Sequence, residues 1–382
     1  MTKFAHTRVA LGLMVLLGLA ALAGCQPGVP DTVKIGVAQP LSGPLKELGQ
    51  DMVDGTQMAI DDINKEGLKI DGKLVKLELV KADDKADAKA GEAAAKQLVE
   101  AGVVAVIGHL NSGVSMAAAP IYAEKSIPQL AISTKPEYTQ MGHATTLRLV
   151  ASDALQSKAM GSIANGLPGE HVYAVVDDNT PYGKSLVESA AAQLKGKTIG
   201  VRASLDDKTT DFSALIPQLK DKNVTVFLTT LADFQIVALA DQLVAAGLKH
   251  MQIVGSDTIK TEGMLKVNPQ IGTIYATSPI IGAGEFTGGK PFLEKFRARF
   301  KHEPIYAAHY AYDAVYVLSA AIKQAKSVEG AKLVQALKTV DALAPVTSTM
   351  RFGADGEQRY GSVSVYQLNR GQWFLLTRSD VW

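Results

Sequence analysis

The chain has one cysteine in 382 residues, Cys25, which excludes any intrachain disulfide. Aromatic residues make up only 6% of it, and no basic stripe is interleaved with them. The stacking platforms and phosphate-tracking cations of a nucleic-acid binder are therefore missing. Neither sign of charge is in excess: 39 Lys and Arg stand against 38 Asp and Glu, a formal +1. That balance gives no general pull toward nucleic acid or anionic lipid. Catalytic signatures are absent as well. There is no Gly-x-x-x-x-Gly-Lys-Ser/Thr phosphate loop, no His-Glu-x-x-His pair and no Gly-x-Ser-x-Gly elbow. The seven histidines are scattered, and His109 reads as a structural residue. Asp61-Asp62 and Asp83-Asp84 read as solvated faces or turns, and Gly282, Gly284, Gly288 and Gly289 as loop. The expectation is a protein that is not an enzyme, with no metal site and no cofactor.

What is present begins with an address. Lys3 and Arg8 precede an apolar run, Val9 to Ala21, that is too short to span a bilayer and fits a secretory signal. Leu22-Ala23-Gly24-Cys25 resembles the bacterial lipoprotein lipobox, which implies lipidation at Cys25 and a new N-terminus there. Residues 1–24 then form the signal peptide and 25–32 a lipidated tether. Losing Lys3 and Arg8 takes the charge from +1 to −1, still near neutral. The protein is expected to be exported and held at a membrane surface by lipid.

From Val33 onward apolar runs alternate with amphipathic stretches, which argues parallel sheets wrapped by helices. The hydrophobic share of 47% suits a sizeable core, and the length suits two domains. Strands are expected at Val33–Ala38, Leu74–Val80, Val103–Ile107 and Pro128–Ile132, with helices Glu47–Glu66, Ala86–Ala101 and Val114–Lys125 between them. A second series runs from helix Asp153–Asn165 to strand Thr273–Thr277, and includes helices Lys184–Leu194 and Phe212–Lys220. Late helices and a hairpin, Ser362–Leu368 with Trp373–Thr377, are too few for a third domain. The chain is therefore expected to cross between two lobes near Val150, Ser278 and Phe352. The lobes are 33–149 plus 279–351, and 150–278 plus 352–382.

Polar residues gather where strands end. Ser112 stands where a helix begins, and Ser133 and Thr134 close the next strand. Neutral donors at a helix N-terminus suit a carboxylate. Asp257, at the end of a second-half strand, suits an ammonium group, and Tyr182 can lay a ring over a small ligand. Each has a plainer reading: Ser112 as a helix cap, Ser133 and Thr134 as a loop opening, Asp257 as a turn residue, Tyr182 as packing. Together they describe an α-amino acid between two lobes.

At these residues the chain resembles the type I periplasmic binding proteins of ABC transporters, in the leucine/isoleucine/valine-binding branch. The marks include Gln39 to Pro44, Ala59 to Asn64, Val106 to His109, Lys135 to Gln140, Asp178 to Gly183, Asp211 to Ile216 and Ala311 to Val315. The resemblance implies two Rossmann-like lobes closing about a multi-crossover hinge, and a monomer that delivers an amino acid to permease subunits. It implies Ser112, Ser133 and Thr134 for the ligand carboxylate, and Asp257 with Thr134 for the ammonium. Leu48, Asn111, Tyr182, Ala232, Asp233 and Tyr306 fall at the side-chain pocket. Leu48 replaces an aromatic residue, and Leu231-Ala232-Asp233-Phe234 replaces a tyrosine-rich turn, so side-chain preference is open. Asp233 reads as the N-cap of the following helix. Amides, urea-like molecules or aromatic acids as ligands, and ligand sensing in place of transport, are the alternatives on the same fold.

Overall fold

The computed structural model describes residues 29–379. The leader, Cys25 and residues 26–28 of the tether lie outside the described residues. In the first half, β1 (Thr32–Gln39), α1 (Lys46–Glu66), β2 (Lys76–Asp83), α2 (Ala88–Glu100), β3 (Ala105–Gly108), α3 (Ser112–Glu124), β4 (Gln129–Ala131) and β5 (Thr146–Arg148) follow in order. The strands form a parallel sheet in the order β2-β1-β3-β4-β5. Ile35 sits beside Leu79 on one neighbour and Ala105 on the other. Both faces are covered, which is why its strands read as apolar runs without alternation.

The second series is α4 (Asp153–Gly166), β6 (Val172–Asp177), α5 (Pro181–Ala191), β7 (Thr198–Ser204), α6 (Ile216–Asp221), β8 (Val226–Thr229), α7 (Asp233–Ala245), β9 (Gln252–Gly255) and β10 (Ile274–Ser278). The chain ends with α8 (Gly289–Phe300), α9 (Ala308–Ala325), α10 (Gly330–Thr339), β11 (Ser364–Asn369) and β12 (Gln372–Arg378). The seven-stranded second sheet runs β12-β11-β10-β9-β8-β6-β7, antiparallel only at β10/β11 and β11/β12. Arg370 and Gly371, at φ 51° and 72°, make the tight hairpin turn that needs positive φ at both centres.

Helices α8, α9 and α10 return to the first core through Phe292, Phe296, Val315, Leu318 and Leu337. Phe352 is in that core too, whereas Val365 and Tyr366 belong to the second sheet. The backbone therefore passes between the sheets three times: after β5, after β10 and before β11. At the third passage Gly356 lies so close to β5 that a Cβ there would sit 2.1 Å from the Thr146 carbonyl, at φ +83°. No side chain fits that approach.

Several boundaries differ from expectation for local reasons. Helix α5 opens at Pro181, three residues early, because Thr180 Oγ1 accepts from the Gly183 N–H at 2.9 Å and proline suits the first turn. Helix α6 opens only at Ile216, four residues late: Pro217 stands in its first turn, and the Phe212 N–H is taken by Gln242. Asp233 is not an N-cap. It is the first residue of α7, Ala232 holds the cap position, and the Ala232 N–H is satisfied by Gln235 Oε1 at 3.0 Å. Asp233 instead accepts from Thr261 at 2.5 Å. The aspartate pairs are not simply solvated either. Asp84 is wholly buried against His109 Nδ1 at 2.7 Å, Asp83 accepts from Leu41 and Ser42, and Asp62 accepts from Tyr312.

Candidate functional site

Strand order places the site. In the first sheet β1 lies between β2 and β3, so connections leave it in opposite directions and open a crevice at the carboxyl ends of β1 and β3. In the second sheet β6 holds the same position between β7 and β8. Ser112 follows β3, Tyr182 follows β6, and Ala232 and Asp233 follow β8. Residues separated by up to 121 positions in the chain thus stand at switch points of two sheets.

On the first lobe, α3 begins without a side-chain cap, its N-cap Asn111 making no such bond. Ser112 is the first helical residue rather than the cap, and its Oγ accepts from the Lys135 N–H at 3.4 Å. That contact sets the loop 133–136 beside the open helix end. Asn111 Oδ1 is buried with no hydrogen-bond partner. Ser133 is buried and its hydroxyl donates to Ser115 Oγ, so it is occupied inside the lobe. Leu48 lies half-buried in the first turn of α1. Tyr306 is brought in by Asp51, whose carboxylate accepts the backbone N–H groups of Ile305, Tyr306, Ala307 and Ala308 at 2.8–3.2 Å.

On the second lobe, Asp257 Oδ1 accepts from Tyr182 Oη at 2.6 Å and from Gln156 Nε2 at 2.7 Å. Both donors are neutral, and Asp257 has no ion pair among the described residues. Burial pushes the Tyr182 phenol well above its ordinary range, and the Asp257 charge adds to it. Burial and then the same charge push up the Tyr306 phenol, although Tyr306 stands on the other lobe. Ala232 and Asp233 are half-buried at the start of α7, and Thr261 engages the Asp233 carboxylate.

Two residues of the site escaped the sequence reading. Asp153 and Gln156 project from one face of the first turn of α4, just past the first passage between lobes. Asp153 Oδ1 is buried without a partner, while the Thr134 hydroxyl bonds to the same carboxyl group and the Asp153 N–H bonds the Thr134 carbonyl at 2.8 Å. A lone Asp at a helix start reads as a complement to the helix dipole, so nothing in the sequence marked it. Its neighbour across the cleft is visible only after folding.

Asp153 has its pKa raised to about 7, first by burial and further by Asp257, against the Thr134 hydrogen bond. The folded state thus holds this proton more tightly than the unfolded chain does. The stability it contributes is full below the unfolded value near 4 and is lost as pH rises through about 7. A cationic ligand beside it favours the ionised form, so binding near pH 6.5 is expected to release a fraction of a proton. Calorimetric titration in two buffers of different ionisation enthalpy reads this directly. Equal apparent enthalpies in both would reject it, and Asp153→Asn is expected to abolish the difference.

Among the described residues no group of three or more His, Cys, Asp and Glu is placed to hold a metal ion, and no helix is long and apolar enough to cross a membrane.

Known proteins share this chain's sequence pattern and fold. A family model described as "Periplasmic binding protein" matches residues 32–372. A Leu/Ile/Val-binding protein homolog 1 of Brucella melitensis is 32% identical over 289 residues, 73% of each chain. A branched-chain amino acid transporter substrate-binding protein of Streptococcus pneumoniae, solved with isoleucine, has a TM-score of 0.75. It is 24% identical and covers 91% of this chain and 98% of its own. A solute-binding protein of Rhodopseudomonas palustris, solved with 3,4-dihydroxybenzoic acid, has a TM-score of 0.73 at 18% identity, covering 91% and 97%.

Proposed function

The chain belongs to the periplasmic binding protein family, and on that premise we propose that it is the solute-binding component of an ABC importer. Its ligand is an amino acid, aliphatic or branched-chain first, held between the two lobes. One observation carries the reading: the cleft has opposite electrostatic ends. Asp257, paired only with neutral donors, supplies negative charge at one end, with Asp153 beside it able to give up its proton to a cation, and the uncapped start of α3 with Ser112 supplies positive dipole at the other. A zwitterion matches both ends.

In this reading the ligand carboxylate meets Ser112, the backbone of Ser133, and Thr134. The ammonium meets Asp257 and Asp153, with the Thr134 hydroxyl oxygen accepting because its proton already goes to Asp153. Tyr182, Asn111, Leu48, Ala232, Asp233 and Tyr306 surround the side chain. Closure follows because Tyr306 and Ser112 reach the ligand from one lobe and Asp257 from the other, so the closed state binds it more tightly. An acid lacking an amine, such as the dihydroxybenzoate of the R. palustris structure, would leave two carboxylates facing an anion. The same proposal takes Cys25 as a lipidated N-terminus, which places a monomeric protein outside the cytoplasm on a lipid tether.

The test is a thermal-shift screen of the purified protein against the amino acids, small amides and aromatic acids. A true ligand at 100 times its dissociation constant adds about 2.7 kcal/mol. Stabilisation by an aliphatic amino acid is the expected result. Stabilisation by amine-free acids alone would replace the proposal.

A further inference from the structure

The loop 133–136 has no regular structure of its own, yet every one of its carbonyl oxygens is claimed. Arg148, at the end of β5 and wholly buried, bonds the Ser133 carbonyl through Nη1 and the Lys135 and Pro136 carbonyls through Nη2, the latter two at 2.9 and 3.4 Å. The remaining carbonyl, of Thr134, accepts from the Asp153 N–H. A loop whose oxygens are all drawn to such donors keeps its negative ends away from the cleft, and, with the Ser133 and Thr134 hydroxyl protons and the Lys135 N–H already committed, what it offers there is the N–H of Ser133 and of Thr134. That polarity suits a carboxylate.

A guanidinium can hold three carbonyls in one orientation only if it is itself held. Glu357 does this with a two-point fork, Arg148 Nε to Oε2 at 2.9 Å and Nη2 to Oε1 at 3.0 Å. Thr139 donates to the same carboxylate. Glu357 lies more than 200 residues further along the chain, on the third passage between lobes. It is held there by its neighbour Gly356, whose carbonyl accepts from the Arg148 N–H at 2.9 Å.

We propose that Arg148 and Glu357 are the positioning pair for the ligand carboxylate: Glu357 locks the guanidinium, and the guanidinium turns the Ser133, Lys135 and Pro136 carbonyls away from the cleft. Neither residue touches the ligand. The inference rests on the amino-acid reading above and assigns to the third passage a part in ligand recognition as well as in linking the lobes. Lysine cannot replace Arg148, because a single ammonium does not match the planar fork.

The experiment compares an amino acid with its carboxamide, which keeps the ammonium and side chain but lacks the anionic end. Using leucine and leucinamide as probes, the unmodified protein is expected to prefer leucine by about a hundredfold or more, and Glu357→Gln to cut that preference about tenfold. Loss of affinity for both probes by the same factor would mean a purely structural role and would overturn the proposal. If neither probe binds the unmodified protein, leucine is excluded as its ligand, with no bearing on the pair. The positioning pair is then read without ligand, by hydrogen exchange at the amides of Thr134 and Lys135. Faster exchange in Glu357→Gln and Arg148→Lys supports it, and unchanged exchange refutes it.

Discussion

Asp257→Ala is expected to weaken amino-acid binding by about a hundredfold or more, the largest effect of any single change in the cleft. Asp257 is the one carboxylate that joins the two halves of the lobe-2 wall, accepting from Tyr182 on α5 and Gln156 on α4. Truncating one partner of a desolvated charge pair costs roughly 2–5 kcal/mol, which converts to about thirtyfold to several thousandfold in Kd. Asp257→Asn separates charge from shape. It can still accept from Tyr182 and Gln156 but offers an ammonium no counter-charge, so it is expected to lose nearly as much. Calorimetric titration with the amino acid that gives the largest thermal shift measures both variants. A Kd within threefold of the parent in either would mean that the ammonium is held elsewhere. A melting temperature close to the parent's would show that the loss belongs to the ligand and not to the fold.

Asp51→Ala should produce the largest loss of stability. This carboxylate sits in α1, nearly out of solvent, and accepts four successive backbone N–H groups from 305–308, more than 250 residues away in sequence. Three of those residues lead into α9, a helix that has no side-chain cap of its own. Asp51 therefore takes the place of the cap, supplied from another element. Burial raises its pKa despite the four donors. Removing it strands several buried N–H groups at roughly 1–3 kcal/mol each, partly relieved where water can enter, so a net cost of about 4 kcal/mol is expected. That corresponds to a melting temperature lower by roughly 10 °C. Differential scanning calorimetry reads it, and a shift under about 2 °C would remove the capping role. Asp51→Asn retains one acceptor and should fall between.

The two predictions differ in how legible they were. Asp257 was visible because it follows a short apolar run at a strand's carboxyl end, where a sheet exposes its loops. Asp51 shows in the sequence only as part of an amphipathic helix, since nothing local tells an aspartate on a polar face from one that reaches a distant loop. His109 is structural, as a solitary histidine suggests, but its partner Asp84 is wholly buried beside it and not on a solvated turn. Asp233 failed for a related reason. The helix starts one residue earlier than expected, so Asp233 lies inside its first turn, and its carboxylate accepts from Thr261.

Legible in the amino-acid order alone are the alternation of strands and helices, the late hairpin, and the polar strand ends at Ser112, Thr134, Tyr182 and Asp257. These are local properties: period, turn chemistry and the exposure of loops at sheet ends leave a record within a few residues. The folded chain alone reveals that Asp153 lies near Asp257, that the Ser133 hydroxyl is turned inward, and that Arg148 and Glu357 meet behind the loop 133–136. These depend on contacts between segments up to about two hundred residues apart. The energy of such a contact is set by its partner, and the partner's position exists only once the chain has crossed three times between its two sheets.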